Sequence, residues 1–237
     1  MTERGRETGL SASPERLERV SNAFMLQWLD RMPHVRLEHV EGAVCALCPS
    51  LPDLDFVNRI YGAPADLEAA LALYRAAGLR PWLETLGAAP AWKRVGEHAV
   101  VAGIPAAPEP DLEVREGERE VFARTFVQAV GAPDAHRAPV EAWDARLYVA
   151  YVDGRPAGAG ALYVADGIGH LANAATVPEL RGRGAQTALI RRRILDAAVA
   201  GCELVSSGAT DGSQSLRNLL RAGLEVVYVK TAWRAPE

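Results

Sequence analysis

Residues 176–189 read TVPELRGRGAQTAL and join a predicted strand end to the start of a predicted helix. Gly182 and Gly184 in this stretch stand beside two arginines, Arg181 and Arg183. Because glycine has no Cβ, it adopts positive φ readily and lets the backbone come close to an anion. The first amides of a helix are free of intrahelical partners and lie at the positive end of the helix dipole. The stretch therefore predicts a loop whose backbone N–H groups bind a phosphate.

Two common phosphate-binding loops do not fit this stretch. A Walker loop needs a Lys followed by Ser or Thr after its last glycine, whereas Ala185 and Gln186 follow Gly184 here. A dinucleotide-binding fingerprint needs a small residue at the position of Thr187 and a glycine turn directly after the strand. Residues 178–180 separate that strand from the glycines. The sequence therefore disfavours a nucleotide triphosphatase and a dinucleotide-binding enzyme.

The order of elements around the loop resembles the C-terminal half of the GNAT acyltransferase family. After the loop come a helix, a strand, a helix with Asn218 and a last strand, and the resemblance covers about residues 112–237. The family binds the pyrophosphate of acetyl-CoA on a loop with the pattern Q/R-x-x-G-x-G/A. Arg181 and Gly184 match its first and fourth positions, whereas Gln186 replaces its last small residue. The resemblance implies a mixed α/β fold, with a mostly antiparallel sheet flanked by helices, and acetyl-CoA (CoA) as cofactor.

The resemblance also implies which residues bind this cofactor. The loop residues predicted to hold the pyrophosphate are Arg181, Gly182, Arg183, Gly184, Ala185 and Gln186. Backbone groups near Ala175 and Thr176 would pair with the pantetheine arm and place an N–H at the thioester oxygen. The amide of Asn218 would bind the cofactor from the last helix, and no metal site is predicted. Arg191, Arg192 and Arg193 are predicted to form a solvated basic face on the helix after the loop.

The sequence indicates the catalytic base and the catalytic acid less clearly than the cofactor residues. In the family, the amine attacks the thioester directly, and the base is often a Glu on the strand before the loop or an ordered water. Residues 168–176 contain no carboxylate, and His170, with an ordinary pKa of about 6.5, is their only titratable side chain. A structural role for His170 stays open. Leu219 stands four residues before Gly223, where the family often has the acid Tyr, so Tyr228 on the next strand is the candidate acid.

Proline-rich residues 105–114, PAAPEPDLEV, predict an internal boundary. We expect residues 1–13 to be a flexible N-terminus and residues 111–237 to be the acetyl-CoA-binding domain. Residues 14–110 show a helix, strand pair, helix and strand order without a second glycine loop. They form either a degenerate GNAT-like half, giving two tandem GNAT-like halves, or a region that only builds the acceptor pocket.

Local signals predict several elements. Ser13 followed by Pro14 starts one helix, and Asp66 caps a second helix that stops at Gly78. Asp-Gly pairs at 153–154 and 166–167 predict two tight turns that join three antiparallel strands. The strand after the glycine loop follows a crossover helix, so it must run parallel to its neighbour.

Composition bounds the class of protein. The chain has 237 residues, 49% hydrophobic and 24% charged, and a net charge of −4, which describes a soluble globular protein of one or two domains without a basic surface for nucleic acid. No apolar run approaches the roughly 20 residues of a membrane span, so we expect a cytoplasmic protein without membrane partners. Cys45 and Cys48 form a lone CxxC pair, which predicts packed thiols rather than a zinc or redox site.

The sequence thus predicts an N-acetyltransferase that moves acetyl from acetyl-CoA to a primary amine of a small molecule or peptide. We expect a monomer or homodimer. The absent Tyr and the absent strand carboxylate leave an alternative open: a non-catalytic acyl-CoA-binding sensor or regulatory module.

Overall fold

The computed structural model describes residues 13–86 and 92–236. The flexible segment predicted at residues 1–13 therefore lies, except for Ser13, outside the described residues. The helices are α1 (Pro14–Leu29), α2 (Leu67–Ala76), α3 (Arg119–Val130), α4 (Arg137–Glu141), α5 (Ala185–Val199) and α6 (Gln214–Arg221). The strands are β1 (Arg36–Val40), β2 (Ala43–Leu47), β3 (Arg59–Gly62), β4 (Trp82–Thr85), β5 (Lys93–Gly103), β6 (Val114–Glu116), β7 (Arg146–Val152), β8 (Arg155–Ala165), β9 (Ile168–Thr176), β10 (Leu204–Thr210) and β11 (Glu225–Arg234).

The strands form one 11-stranded sheet in the order β1-β2-β3-β4-β11-β5-β10-β9-β8-β7-β6. Its strands are antiparallel except at the pairs β3–β4 and β9–β10. Alternate residues of β7 bury their side chains in two different clusters. Tyr148 and Ala150 pack with α5 and α6, whereas Leu147 and Val149 pack with α1 and α3. Helices therefore cover both faces, and the predicted mixed, mostly antiparallel sheet flanked by helices is confirmed.

Strands β5 and β11 cross between the two parts of the chain. β5 follows β4 in sequence but lies between β11 and β10, while β11 follows β10 and α6 but lies between β4 and β5. β5 therefore pairs with β10, which precedes β11 among the strands, and β11 pairs with β4, which precedes β5. The boundary between residues 110 and 111 stays a prediction, and this exchange means that residues before it complete the sheet of the later part.

The local signals act as the sequence predicts. Ser13 Oγ accepts a hydrogen bond from the Arg16 amide at 3.3 Å, and Asp66 Oδ1 accepts one from the Ala69 amide at 3.1 Å. The Asp-Gly pairs at 153–154 and 166–167 have positive φ at both residues and close the antiparallel hairpins β7–β8 and β8–β9. Cys45 and Cys48 are buried free thiols, which confirms that they are packed residues. Among the described residues, no helix is long and apolar enough to cross a membrane.

Candidate active site

A wedge opens where the parallel strands β9 and β10 stop pairing. They pair at only three positions, the last of which joins His170 to Ser206. Beyond it, the hydroxyl of Ser207 donates to the carbonyl oxygen of Leu171 at 2.9 Å, so a side chain replaces the next backbone bond. β9 then continues to Thr176 and β10 to Thr210 without pairing with each other. The edge of β9 therefore has backbone groups free to pair with an inserted extended chain.

Alternation along β9 shows which groups face this wedge. The amide of Val177 donates to the carbonyl oxygen of Ala157 at 2.9 Å, so Val177 bonds to the β8 side. Since N–H and C=O groups change side at each residue, Ala175 also bonds toward β8, whereas Thr176 faces the wedge. The carbonyl oxygen of Thr176 accepts from Arg181 Nε at 3.4 Å, in agreement with this direction.

A β-bulge interrupts β9 inside the wedge. Gly160 of β8 pairs with Ala174, and the next residue, Ala161, pairs with Ala172, so Asn173 is an extra residue. Its φ is +30°, which Asn tolerates better than most residues. A bulge turns local peptide groups away from the ladder and is common beside active sites. The bulge therefore leaves backbone groups without a partner in the sheet at the narrow end of the wedge.

Arg193 supports this bulge from helix α5. The side chain is 1% exposed; Nη1 donates to the carbonyl oxygens of Ala161 at 2.9 Å and Ala172 at 3.2 Å, and Nε donates to that of Leu189 at 2.9 Å. A Cβ at Gly160 would lie 3.0 Å from Arg193 Cζ, so only glycine leaves room for the guanidinium. Burial lowers the pKa of Arg193 to about 10, which keeps it charged at neutral pH. The prediction that Arg193 lies on a solvated face is wrong.

The glycine loop follows the wedge directly. Gly182 and Gly184 have φ of +75° and +88°, and Gly184 begins α5 without a side-chain cap. Within residues 13–86 and 92–236, the amides of residues 182–187 donate no hydrogen bond to a loop or side-chain acceptor. Six successive N–H groups are thus available at a helix N-terminus, which is what an anionic phosphate requires. Arg183 pairs with Asp153 at 2.5 Å on the exposed side of the loop.

The other predicted cofactor residues differ in how close they lie to this loop. Ala185 is buried and Gln186 half-buried in the first turn of α5, so neither side chain covers the exposed glycines. Asn218 lies on α6 but outside the cavities described below, and its Oδ1 accepts from Gln214 Nε2 at 2.8 Å and Arg221 Nη1 at 3.2 Å. The structure therefore brings together the end of β9 and the loop, whereas Asn218 bonds to its own helix.

The N-terminal part has a similar parallel pair, but the helix start that follows it, in the part of the chain that the structure describes, does not suit an anion. β3 and β4 pair at two positions, and the turn before α2 uses its amides internally. The Ala63 amide donates to the Gly42 carbonyl at 3.1 Å, and the Ala65 amide donates to that of Glu41 at 2.9 Å. The carboxylate of Asp66 then caps α2. A negative cap and occupied amides exclude a phosphate from this helix start.

A cavity of about 1060 Å³ lies between the two parts of the chain. One wall is formed by α1, β3, β4 and β5, and the other by β9, β10 and β11. The bulged residue Asn173 and Ser207 line it from the wedge, while Glu84 and His98 line it from the opposite side. The wedge therefore opens into a space large enough for a second substrate.

A buried ionic network crosses this cavity. Glu84 Oε1 pairs with Arg59 Nη1 at 2.9 Å and Oε2 with Lys230 Nζ at 2.7 Å, and His98 Nδ1 bonds to the same carboxylate. Lys230 also pairs with Glu18 at 3.0 Å. Burial alone would raise the pKa of Glu84, but Arg59, the His98 hydrogen bond and Lys230 outweigh it and hold that pKa well below its usual range. Burial alone would lower the pKa of Lys230, but Glu84 and Glu18 outweigh it and raise it. Both groups are charged at neutral pH.

The environments of His170 and Tyr228 disfavour the base and acid roles predicted for them. His170 lines the cavity but is 9% exposed, and burial, with Lys230 and Arg193, lowers its pKa to about 4. Tyr228 lies outside the residues that line either cavity, and its hydroxyl donates to Glu18 at 2.7 Å. Burial and the Glu18 carboxylate raise the pKa of Tyr228, which weakens it as an acid. Leu219, in place of the family's Tyr, is a core side chain.

Sequence reasoning missed the groups that the fold assembles here. Glu84 and His98 lie on strands separated by β11, so their 14-residue spacing gave no signal of contact. An Asn among the alanines near the end of β9 is the available sign of the bulge at Asn173.

The divergent strands, the bulge and the free loop amides together form one candidate anion-binding site. Residues 111–213 match the family model described as acetyltransferase (GNAT) domain, so this part of the chain is similar to GNAT acetyltransferase domains. No curated protein sequence matches the chain.

Solved structures show the same fold over nearly the whole length. A GCN5-related N-acetyltransferase from Kribbella flavida is 20% identical with a TM-score of 0.67, covering 93% of this chain and 96% of its own. A GNAT-family acetyltransferase from Colwellia psychrerythraea is 12% identical with a TM-score of 0.56, covering 95% and 98%. A tandem GNAT protein from the clavulanic acid biosynthesis pathway is 13% identical with a TM-score of 0.53, covering 91% and 96%. At these identities the similarity concerns the fold.

Proposed function

We propose that the protein is an N-acetyltransferase that transfers acetyl from acetyl-CoA to a primary amine of a small molecule or peptide. The observation that carries this proposal is the continuity between the free amides of residues 182–187 and the unpaired edge of β9. A phosphate at the loop and an extended arm along the strand match the two ends of CoA. The parallel pair β3–β4 before α2 supports two tandem GNAT-like halves, and within the described residues the free helix-start amides lie in the second of them.

Residues of the loop and β9 have distinct roles in this proposal. The amides of Gly182 to Gln186 hold the pyrophosphate, with Arg181 and Arg183 adding positive charge. Thr176 pairs with the pantetheine arm, and the backbone at Asn173 lies where an N–H would stabilise the thioester oxygen as it becomes negative. Acetyl-CoA supplies the acetyl group as an activated thioester.

The transfer needs one base and no covalent enzyme intermediate. The amine nitrogen attacks the thioester carbonyl carbon, so a C–N bond forms, the C–S bond breaks, and CoA leaves as a thiolate. The amine loses one proton to a base, and the thiolate takes up one proton. A thiol with an ordinary pKa of about 8.5 leaves without a dedicated acid, so the core position of Leu219 is compatible with turnover.

We assign the base to His98 rather than to His170. His98 Nδ1 is bonded to the charged Glu84, and among the described residues its Nε2 has no hydrogen-bond partner. A carboxylate bonded to Nδ1 fixes the orientation of the imidazole and leaves Nε2 to take up the proton. His98 lines the cavity and its side chain is 34% exposed, so a substrate can reach it, unlike the buried His170.

A panel of primary amines and short peptides, assayed with acetyl-CoA by release of free thiol, tests the function. Turnover that depends on an amine, and that falls in His98→Gln with unchanged CoA affinity, supports the proposal. Tight CoA binding by calorimetry without turnover on any amine would favour the acyl-CoA sensor, which the core position of Leu219 and the low pKa of His170 also favour. Longer acyl-CoA substrates test the preference for acetyl. The cytoplasmic location and the monomeric or homodimeric state stay predictions.

A further inference from the structure

A second cavity, of about 920 Å³, adjoins the first. It lies between the end of α1, the loop of residues 50–56 and the segment from α3 to Trp143. Four residues line both cavities: Met25, Arg59, His98 and Asn173. The second cavity therefore reaches the bulge and the proposed base from the side away from the wedge.

The walls of this second cavity are aromatic. Trp28 lies 5.4 Å from Phe56 and 5.8 Å from Trp143 between ring centroids, and Phe126 lies 5.1 Å from Trp143. Aliphatic and proline side chains also line the cavity, namely Leu51, Pro52, Leu54, Val127, Val130, Pro133, Pro139 and Val140, together with the polar residues Ser50, Asp53, Asp55 and His136. Phe126 meets Trp143 edge to face, whereas the two pairs with Trp28 are tilted, and ring faces of this kind suit a planar apolar ligand.

Three buried donors at this cavity have no partner among the described residues. They are the indole Nε1 groups of Trp28 and Trp143 and the Nε of Arg59. An indole N–H can only donate, and an unsatisfied buried donor costs about 1–3 kcal/mol. Trp143 is 1% exposed and Trp28 is 7% exposed, so bulk water does not satisfy them. Each donor atom is itself enclosed, so an oxygen acceptor of a ligand reaches it only if the side chain turns toward the cavity.

The carboxylates of this cavity are already paired with cations. Asp53 pairs with Arg234 at 2.6 Å, and Asp55 pairs with Arg59 at 2.8 Å. The nearby Glu84 has three cationic or donor partners. A polycationic amine would need free carboxylates in the pocket, and none of these three is free.

We infer that the second cavity holds the body of the acceptor, a primary amine on a flat aromatic frame that carries an oxygen acceptor. The amine would enter the shared wall at Asn173 and His98, where the acetyl group is expected. This inference rests on the proposed function and narrows its acceptor class. It excludes polyamines as preferred substrates.

Two rim residues allow the cavity to be altered without touching the core. Val130 is 51% exposed as the last residue of α3, and Leu51 is 38% exposed on the facing loop. Val130→Arg and Leu51→Arg place a charge at opposite sides of the mouth. Val199 is 84% exposed and is the last residue of α5, outside both cavities. Val199→Arg is therefore a matched control for Val130→Arg.

The experiment compares tyramine, 2-phenylethylamine and spermidine by calorimetric binding without acetyl-CoA and by thiol release with it. We expect tyramine to bind most tightly, Val130→Arg and Leu51→Arg to weaken it about tenfold, and Val199→Arg to change it less than about twofold. Trp28→Phe removes the indole N–H together with part of the ring surface, so it should weaken the binding of both aromatic amines and abolish the advantage of tyramine over 2-phenylethylamine.

Preferred binding and acetylation of spermidine, unaffected by both rim variants, would overturn this inference while leaving the acetyltransferase function intact. Equal affinity for tyramine in Val130→Arg, Leu51→Arg and the unmodified protein would also overturn it. Tyramine binding that the rim variants weaken, without thiol release from any amine, would support the cavity's ligand class and instead contradict the proposed function.

Discussion

Arg193 Nη1 donates to the carbonyl oxygen of Ala172 at 3.2 Å, immediately before the bulged residue Asn173. Arg193 belongs to α5, the same helix whose N-terminus begins at Gly184. One rigid helix therefore fixes the distance between the free loop amides and the bulge. In the proposed complex, these points correspond to the pyrophosphate and to the reacting thioester.

We expect Arg193→Met and Arg193→Lys to reduce kcat more than they raise KM for acetyl-CoA. Met removes every donor, and Lys keeps an ammonium but loses the fixed geometry of the guanidinium, so both variants weaken the hydrogen bonds to the bulge carbonyl oxygens. Each bond lost costs about 1–3 kcal/mol, so the melting temperature should also fall. Steady-state kinetics and thermal unfolding check this. Arg192→Met is the control, because the neighbouring Arg192 side chain is 34% exposed and pairs with Asp196 at 3.0 Å rather than with the bulge. An unchanged kcat in a folded Arg193→Met would refute the positioning role.

Gly184→Val should abolish CoA binding. Gly184 has φ of +88°, which a β-branched residue adopts with strain, and its side chain would stand at the free amides. Gly201→Val introduces similar strain at the other end of α5, where φ is +75° and a Cβ would meet no atom within 4 Å. Calorimetry with CoA should separate the two variants, although both should lose some stability. Equal CoA affinity in Gly184→Val and the unmodified protein would refute the proposed pyrophosphate site.

Local signals in the sequence were sufficient to predict much of the fold. The Ser13 and Asp66 caps and the two Asp-Gly turns act through neighbours only a few residues away, so their effect is visible in the sequence. The positive φ of Gly182 and Gly184 follows from the same local chemistry.

Contacts made by strand exchange could not be predicted in this way. Lys230 of β11 meets Glu84 of β4 because β11 lies between β4 and β5, an order that no local pattern encodes. Arg193 was misassigned because a run of three arginines resembles a solvated face, while the space for its guanidinium depends on Gly160 in another strand. The low pKa of His170 likewise depends on burial between strands distant in sequence.

Glu84→Gln should destabilise the protein by about 3–5 kcal/mol at neutral pH, because it leaves buried cations without their shared carboxylate. Arg59, Lys230 and Glu84 have side chains only 12–13% exposed, so water screens them little. Urea unfolding measures the loss. Glu68→Gln breaks an exposed pair with Arg75 and should cost less than about 1 kcal/mol. Similar losses in the two variants would show that the buried network contributes no more than a surface ion pair.

His170 should make the folded state sensitive to acid. Its folded pKa of about 4 lies below the ordinary value of 6.5, so the unfolded chain binds more protons between these pH values. The stabilisation is complete above about pH 6.5 and is lost as the pH falls toward 4, by about 3 kcal/mol in total. His170→Gln removes this contribution, so its unfolding free energy, measured in urea from pH 7 to pH 4.5, should fall less steeply than that of the unmodified protein. His39→Gln, at an exposed strand position, should retain the steep dependence. Parallel pH profiles for His170→Gln and the unmodified protein would show that the imidazole is protonated in the folded state as readily as in the unfolded chain.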